Sequence, residues 1–175
     1  MSSQPINLEM FCSSDPSYPA LARPFSAGTW SYATNGHILV RVPRRDDVAE
    51  NPDAPNAAHF YETAKKPRRY EPLPKLELAE PFEWEEEIEC GWCFGKGKEH
   101  HFCPDCRCEC RHCSGIGKAI TKHFKTTQIG SGSYSSKYVF WLQLLPNVEI
   151  GPPYKRKARA FRFHGGEGLL MPCRR

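Results

Sequence analysis

The sequence predicts an α+β protein of short strands and two or three helices, with a small module inserted into a single domain. Its 175 residues suffice for one hydrophobic core of ordinary size. Hydrophobic residues form 39% of the chain, too many for a disordered protein, while 16 prolines and 13 glycines predict frequent turns. Seven of the nine cysteines lie from Cys90 to Cys113, so this stretch is expected to fold as its own unit. We assign residues 1–88 and 118–175 to the two parts of the main domain and residues 89–117 to the insert.

The N-terminal part predicts a short helix followed by a β-hairpin. Residues 5–12 place apolar side chains at roughly helical spacing. Residues 29–33 and 37–42 read as two strands, and Asn35-Gly36 between them is typical of a type I′ turn. Asn56 is expected to cap a second helix that runs to residue 66. Two further strands are then predicted, at residues 75–78 and 82–89.

The C-terminal part predicts one amphipathic helix and several short strands. Residues 118–129 are expected to be extended, and residues 130–136 to be a flexible connection. Helical spacing up to Pro146 predicts a helix with one apolar face, formed by Tyr138, Trp141, Leu142 and Leu145. The strands after it are predicted at residues 148–150, 158–163 and 168–171. Gly165-Gly166 is the predicted turn between the last two.

Hydropathy and charge restrict the class of protein. No apolar run approaches the roughly 20 residues of a membrane span, and the N-terminus lacks a basic segment leading into an apolar one. We therefore expect a soluble, cytoplasmic protein. The net charge is +4, but residues 1–89 carry 9 Lys/Arg against 15 Asp/Glu, whereas residues 90–175 carry 15 against 5. A basic C-terminal part is typical of contact with phosphates or an acidic partner, and a solvated surface is the alternative interpretation.

The clustered cysteines form three CxxC pairs, Cys90/Cys93, Cys103/Cys106 and Cys110/Cys113. A CxxC turn brings two sulfurs to one side of a tight knuckle, and two knuckles supply the four thiolates that zinc prefers. The first and last pairs extend into CxxCxGxG, with Gly95, Gly97, Gly115 and Gly117. Glycine suits these positions because a chain that folds back over a metal site needs positive φ angles and close backbone approach.

We predict one or two structural zinc ions in this segment. The first ligand set is Cys90, Cys93, Cys110 and Cys113, because the two repeated knuckles look like halves of one site. The second set is Cys103, Cys106, Cys108 and His101. Spacing leaves open a different pairing, of Cys90/Cys93 with Cys103/Cys106. Unliganded thiols, an iron–sulfur cluster, a redox pair and a catalytic zinc are the alternative interpretations.

The two CxxCxGxG copies resemble the cysteine-rich zinc domain of the DnaJ co-chaperones, in which such knuckles pair to hold zinc. The resemblance covers residues 90–117 and departs from the family at Cys103/Cys106, which lacks the glycines, where the family has four full repeats. The His-Pro-Asp motif of a J-domain does not occur in the chain. The resemblance therefore implies a zinc-binding module and not co-chaperone activity.

Two short segments resemble the bacterial β sliding clamp. Residues 32–42 match a clamp hairpin with an A-T-D-G-H-R-L-like text at Ala33, Thr34, Gly36 and His37, with Asn35 in place of the aspartate. The C-terminal order of helix, strand, hairpin and Leu170-Met171-Pro172 is similar to the clamp's final domain. Together they imply one clamp-like domain that carries the zinc insert, in a protein of the kind that phages or mobile elements encode. Because a clamp places six such domains around DNA, this chain would need a ring of copies, a partner or a different role.

Residues 154–163 mix cations with aromatic side chains, which is typical of contact with phosphates and bases. An edge strand kept soluble by its positive charges is the alternative interpretation. The candidates for nucleic-acid contact are Lys155, Arg156, Lys157, Arg159 and Arg162.

No catalytic constellation is found, since the chain has no Walker-type loop, no G-x-S-x-G and no G-x-G-x-x-G in a βαβ setting. We therefore predict a non-enzymatic zinc-binding protein that acts on DNA or on a DNA-bound replication or repair protein. The alternative is a chaperone-like adaptor whose zinc knuckles bind peptides. A metal-dependent hydrolase that uses Glu99 is the third hypothesis.

Overall fold

The fold is taken from a computed structural model, which describes residues 6–64, 66–98, 109–153 and 157–173. The chain forms two compact units. The main unit combines Met1–Leu78 with Thr126–Arg175, and the cysteine unit is Ala79–Lys125. The cysteine unit thus contains the predicted insert together with the strands that lead into and out of it.

The described residues form two short 3₁₀-helices, two α-helices and a larger number of strands, which agrees with the predicted α+β class. The 3₁₀-helices are Glu9–Phe11 and Pro19–Leu21, and the α-helices are α1 (Ala57–Thr63) and α2 (Ser136–Gln143). The strands are β1 (Phe25–Ala27), β2 (Trp30–Thr34), β3 (Ile38–Pro43), β4 (Glu71–Pro72), β5 (Glu83–Glu89), β6 (Lys118–Phe124), β7 (Thr126–Ile129), β8 (Gly132–Ser135), β9 (Glu149–Ile150), β10 (Arg159–Phe163) and β11 (Gly166–Leu170).

An antiparallel sheet runs through the main unit in the order β1-β2-β3-β11-β10-β9-β4. Its centre is the pairing of β3 with β11, in which Val40 lies opposite Gly168. These two strands come from opposite sides of the cysteine unit in the sequence. The two halves of the main unit are therefore joined by backbone hydrogen bonds across the middle of one sheet.

Both faces of this sheet are covered, because successive strand residues point to opposite sides. Val40 and Phe161 pack on one side with Leu142 of α2. Leu39 and Leu169 pack on the other side with Tyr61 of α1. The helices therefore lie on opposite faces, and each begins close to its predicted position.

Asn56 caps α1 as predicted, with its side-chain oxygen accepting the N–H of His59 at 3.0 Å, although α1 ends at Thr63 and not at residue 66.

The predicted hairpin is present as β2 and β3, but the type I′ turn is wrong. That turn needs positive φ at both central residues, and in this turn Gly36 has φ +87° while Asn35 does not have a positive φ. The side-chain oxygen of Asn35 instead accepts the N–H groups of His37 and Ile38 at 3.0 and 3.1 Å. Asparagine thus acts here through its side chain and not through its tolerance of left-handed backbone.

Three further predictions differ from the structure. Residues 75–78 are not a strand, because the side-chain amide of Gln143 bonds both the N–H and the carbonyl of Leu76. Residues 130–136 are not a flexible connection, since they close the β7–β8 hairpin and begin α2. The turn before β11 is at His164-Gly165, one residue earlier than predicted, because Phe163 pairs with Gly166.

Candidate metal centre

The cysteine unit brings together the four thiols of the predicted first ligand set, Cys90, Cys93, Cys110 and Cys113. All four are buried, and their sulfurs lie within 4.8 Å of one another. The Sγ atoms of Cys90 and Cys110 are 3.9 Å apart, and those of Cys93 and Cys113 are 3.7 Å apart. These distances exceed the roughly 2.05 Å of a disulfide, so the thiols are free. The arrangement can hold one metal ion. The predicted second set, Cys103, Cys106, Cys108 and His101, lies outside the described residues.

Each knuckle supports its own sulfurs through backbone N–H groups. The N–H of Gly97 donates to the sulfur of Cys93 at 3.3 Å, and the N–H of Gly117 donates to that of Cys113 at 3.2 Å. The backbone bonds from Gly95 to Cys90 and from Lys96 to Cys93 also recur 20 residues later, from Gly115 to Cys110 and from Ile116 to Cys113. Donation to sulfur favours thiolate over thiol, which is the form that binds metals.

The two knuckles are also bonded to each other. The N–H of Cys90 donates to the carbonyl of Gly117 and the N–H of Cys110 to that of Gly97, both at 2.9 Å. A Cβ built on Gly97 would lie 2.1 Å from the carbonyl oxygen of Gly115, and one on Gly117 would lie 2.2 Å from that of Gly95. The φ angles are +70° at Gly97 and +81° at Gly117. The glycines of CxxCxGxG thus have the predicted role, which is positive φ and close backbone approach.

A two-stranded ribbon leads into this centre. Strands β5 and β6 pair from Glu83 opposite Phe124 to Glu89 opposite Lys118, directly before Cys90 and after Gly117. At the opposite ends of the two knuckles, directly after Gly97 and directly before Cys110, Lys98 and Glu109 form an isolated β-bridge. The two knuckles are therefore related by an approximate two-fold repeat of sequence, hydrogen bonds and flanking pairs.

The backbone around Cys90 favours the thiolate form of its side chain, which is the form that binds a metal cation. The pKa of the Cys90 thiol is lowered to about 7, chiefly because the backbone N–H of Cys93 is directed at its sulfur. Burial acts in the opposite direction, and the N–H of Trp92 acts with that of Cys93. A thiolate is thus accessible near neutral pH before any metal binds.

The structure separates the predicted nucleic-acid residues into different environments. Lys157 is exposed. Arg162 is also exposed, but it pairs with Glu149 and lies over the ring of Tyr70 at 4.7 Å. Lys155 and Arg156 lie outside the described residues.

Arg159 does not fit a role in phosphate contact. Its side chain is buried, and its guanidinium donates to the carbonyls of Gly151 and Ile129, the latter at 2.9 Å. Strand β10, which carries it, lies between β9 and β11, so the interpretation of this segment as an edge strand is also wrong. Arg159 instead has a structural role, because its guanidinium supplies hydrogen-bond donors to two backbone carbonyls.

Sequence reasoning missed an apolar pocket of about 590 Å³ in the main unit. Its lining includes Leu21, Ile38, Phe60, Leu169 and Met171, with His37 and Lys157 as its ionisable members. These residues come from separate segments, so no local pattern predicts the cavity. The only signal is that several of the lining residues are also those that carry the clamp resemblance.

The fold and the thiol cluster define an α+β protein with a buried four-cysteine centre that can hold a metal ion. Comparisons with protein-family models, with curated proteins and with solved structures find no match to this chain. The DnaJ and clamp resemblances therefore depend on the short segments quoted above. Among the described residues, no helix has both the length and the hydrophobicity needed to span a bilayer.

Proposed function

We propose that this chain is a non-enzymatic binding protein in which a structural zinc ion holds the cysteine unit and the main unit binds a DNA-bound replication or repair protein. The observation that carries the zinc assignment is the spacing of the four buried sulfurs. Tetrahedral zinc with bonds of about 2.3 Å places its sulfurs about 3.8 Å apart. The separations of 3.9 Å for Cys90–Cys110 and 3.7 Å for Cys93–Cys113 fit that geometry, and the other sulfur pairs lie within 4.8 Å.

A four-thiolate set supports a structural role and not a catalytic one. Cys90, Cys93, Cys110 and Cys113 would fill all four positions around zinc, whereas a catalytic site keeps one position for water or substrate. This closed shell argues against the hydrolase hypothesis. Bound zinc would supply folding free energy to a unit in which the four cysteines form their own small buried cluster.

Metal analysis of protein purified without chelator tests this assignment. We expect at least one zinc per chain, and two if the remaining cysteines and His101 form a second site. Removal of the metal is expected to unfold the cysteine unit and make the four thiols reactive towards 5,5′-dithiobis(2-nitrobenzoic acid). Iron in place of zinc would overturn the metal identity, and protein that holds no metal would overturn the site, whether its four thiols are protected or reactive.

The pocket of the main unit supports the binding of a partner protein. Its volume of about 590 Å³ lies within the range of about 300–1,000 Å³ typical of ligand pockets. Its lining is mainly apolar, and Lys157 adds a positive charge. This combination suits a short peptide segment with large apolar side chains next to an acidic residue. The clamp resemblance supports a DNA-bound partner, because Thr34, Gly36, His37 and Met171 all line the pocket.

Panning a phage-displayed heptapeptide library on the full chain tests the pocket. Selected peptides are expected to be rich in Leu, Phe and Asp. Phe60→Glu should abolish their binding, because Phe60 lines the pocket and is 61% exposed, so the change is compatible with folding. Leu144→Glu is the matched control, since Leu144 is 59% exposed and lies outside the pocket lining. Equal effects of the two substitutions would remove the pocket as the binding site.

Direct contact of the main unit with DNA is a second part of this proposal. Lys155, Arg156, Lys157 and Arg162 are its candidate residues, without Arg159. Phosphate contact requires the affinity for duplex DNA to fall as salt concentration rises. Binding that does not depend on salt would leave the partner protein as the only link to DNA.

A peptide-binding adaptor stays the second candidate function, because the cysteine unit exposes large apolar side chains, among them Trp92 and Phe94. Suppression of aggregation of a heat-unfolded protein by the full chain would favour it. That suppression should then disappear on Trp92→Ala and persist in Phe60→Glu.

A further inference from the structure

The two knuckles, residues 90–98 and 110–117, expose apolar side chains that a structural zinc site does not require. Trp92 is 69% exposed, Phe94 68% and Ile116 72%. A large exposed aromatic side chain on a small rigid module marks a contact surface, because hydration of such a group is unfavourable. We call the surface formed by these three residues the knuckle face.

Trp92 presents a flat and fixed ring. It stacks on His112 with ring centroids 4.1 Å apart and an interplanar angle of 7°. Both residues occupy the third position of a CxxC, so each is held by a buried cysteine on either side. One side of the indole is thus covered by His112, and the exposure of Trp92 comes from its other side and its edges.

The charges of the knuckles are close to balanced. Lys96, Lys98 and Arg111 are exposed, and residues 90–98 and 110–117 contain no Asp or Glu. Glu89 and Glu109 lie just outside these ranges, beside Gly95 and Gly115. Four thiolates with one zinc carry two negative charges, so the three cations bring the knuckles to about +1, and Glu89 and Glu109 bring the total to about −1. Ring stacking must therefore supply most of the affinity, with the cations as support.

We propose that the knuckle face binds single-stranded nucleic acid, with an unpaired base on the open side of Trp92 and phosphates near Lys96 and Lys98. A flat aromatic ring on a module that also carries exposed cations suits a base and its phosphate better than an aliphatic peptide, and base stacking tolerates any sequence. Duplex DNA is a poor ligand for this surface because its bases already stack on each other. The proposal deepens the proposed function and depends on its zinc site, since zinc holds the two knuckles together.

Fluorescence anisotropy with the full, zinc-loaded chain tests this proposal. The probe is a fluorescein-labelled oligothymidylate of about 15 nucleotides, which has no base pairing of its own, compared with a duplex of the same length. Trp92→Ala should weaken single-strand binding about 5- to 150-fold. Trp92→Phe should retain most of it, because phenylalanine also stacks. Trp84→Ala is the matched control, since Trp84 stacks on His123 in the β5–β6 ribbon, outside the knuckles.

Lysine neutralisation provides a second, independent measurement. Lys96→Gln together with Lys98→Gln should lower the slope of log affinity against log salt by about 1.4, that is, about 0.7 for each phosphate that the variant no longer neutralises.

Zinc content is measured on every variant, so a failure of the metal site is distinguished from a failure of this proposal. With zinc retained, unchanged binding by Trp92→Ala, or wild-type binding of the duplex as tight as of the single strand, overturns the proposal. Binding of an apolar peptide, but not of the oligonucleotide, at Trp92 also overturns it.

Discussion

Gly97→Ala tests whether the two knuckles must touch for the four sulfurs to meet. The new Cβ would lie 2.1 Å from the carbonyl oxygen of Gly115, and real Cβ atoms essentially never come within 3.0 Å of such an atom. The knuckles must therefore separate by at least 0.9 Å at this point. In addition, φ is +70°, and this left-handed conformation costs an alanine about 1–2 kcal/mol.

A separation of this size is large compared with the roughly 0.2 Å tolerance of metal–ligand distances. The overpacked contact adds about 1–3 kcal/mol, which gives a total of about 2–5 kcal/mol with the backbone term. If zinc binding has to supply that free energy, the zinc affinity falls by about 30-fold or more. The affinity is measured by competition with the chromophoric chelator 4-(2-pyridylazo)resorcinol.

Two further variants make the test specific. Gly117→Ala should weaken zinc binding to a similar extent, because its Cβ would lie 2.2 Å from the carbonyl oxygen of Gly95. Gly91→Ala belongs to the same knuckle but has open space around its Cβ and no positive φ, so its zinc affinity should change by about twofold or less. Zinc binding by Gly97→Ala that is as tight as by Gly91→Ala would refute the reasoning.

Three other predictions use the remaining chain. Cys113→Ser should remove zinc and expose the other three ligands to thiol reagents, whereas Cys12→Ser should keep the full metal content, because only the first belongs to the buried cluster. Glu167→Gln should lower the free energy of unfolding in urea by about 2–3 kcal/mol, because the buried Arg41 guanidinium loses its carboxylate and keeps only an amide oxygen as acceptor. The control Glu50→Gln, in an exposed pair with Arg44, should cost under about 1 kcal/mol, and equal costs would contradict the argument. Burial raises the pKa of Cys12 from 9.0 to about 11, so the neutral thiol adds stability below pH 9 that is lost as the pH rises towards 11. Iodoacetamide should therefore modify Cys12 slowly at pH 8 in folded protein and rapidly in urea.

The sequence predicts best where structure depends on neighbours in the chain. The cluster of four thiols followed from two copies of CxxCxGxG, because each copy encodes its own turn and the glycines that let two such turns approach. The cap at Asn56 and the helical spacing before Pro146 are also local signals, and both correspond to helices.

Prediction failed where distant segments decide the outcome. Arg159 resembled a surface cation, and only the position of β10 inside the sheet explains its burial. Leu76 lies in a segment with alternating apolar residues, yet Gln143, far along the chain, takes both of its backbone groups. The pocket is lined by residues from both halves of the main unit, so its existence depends on the complete fold.

The pairing of β3 with β11 limits when the central sheet can close during synthesis. Arg41 and Glu167, which lie opposite each other in that pairing, are 126 residues apart, so β11 is synthesised long after β3 and the central sheet can close only then. The knuckles need only partners 20 residues away. The four sulfurs can therefore come together before the sheet closes on the nascent chain, whereas the edge of β3 that faces β11 stays unpaired until β11 emerges.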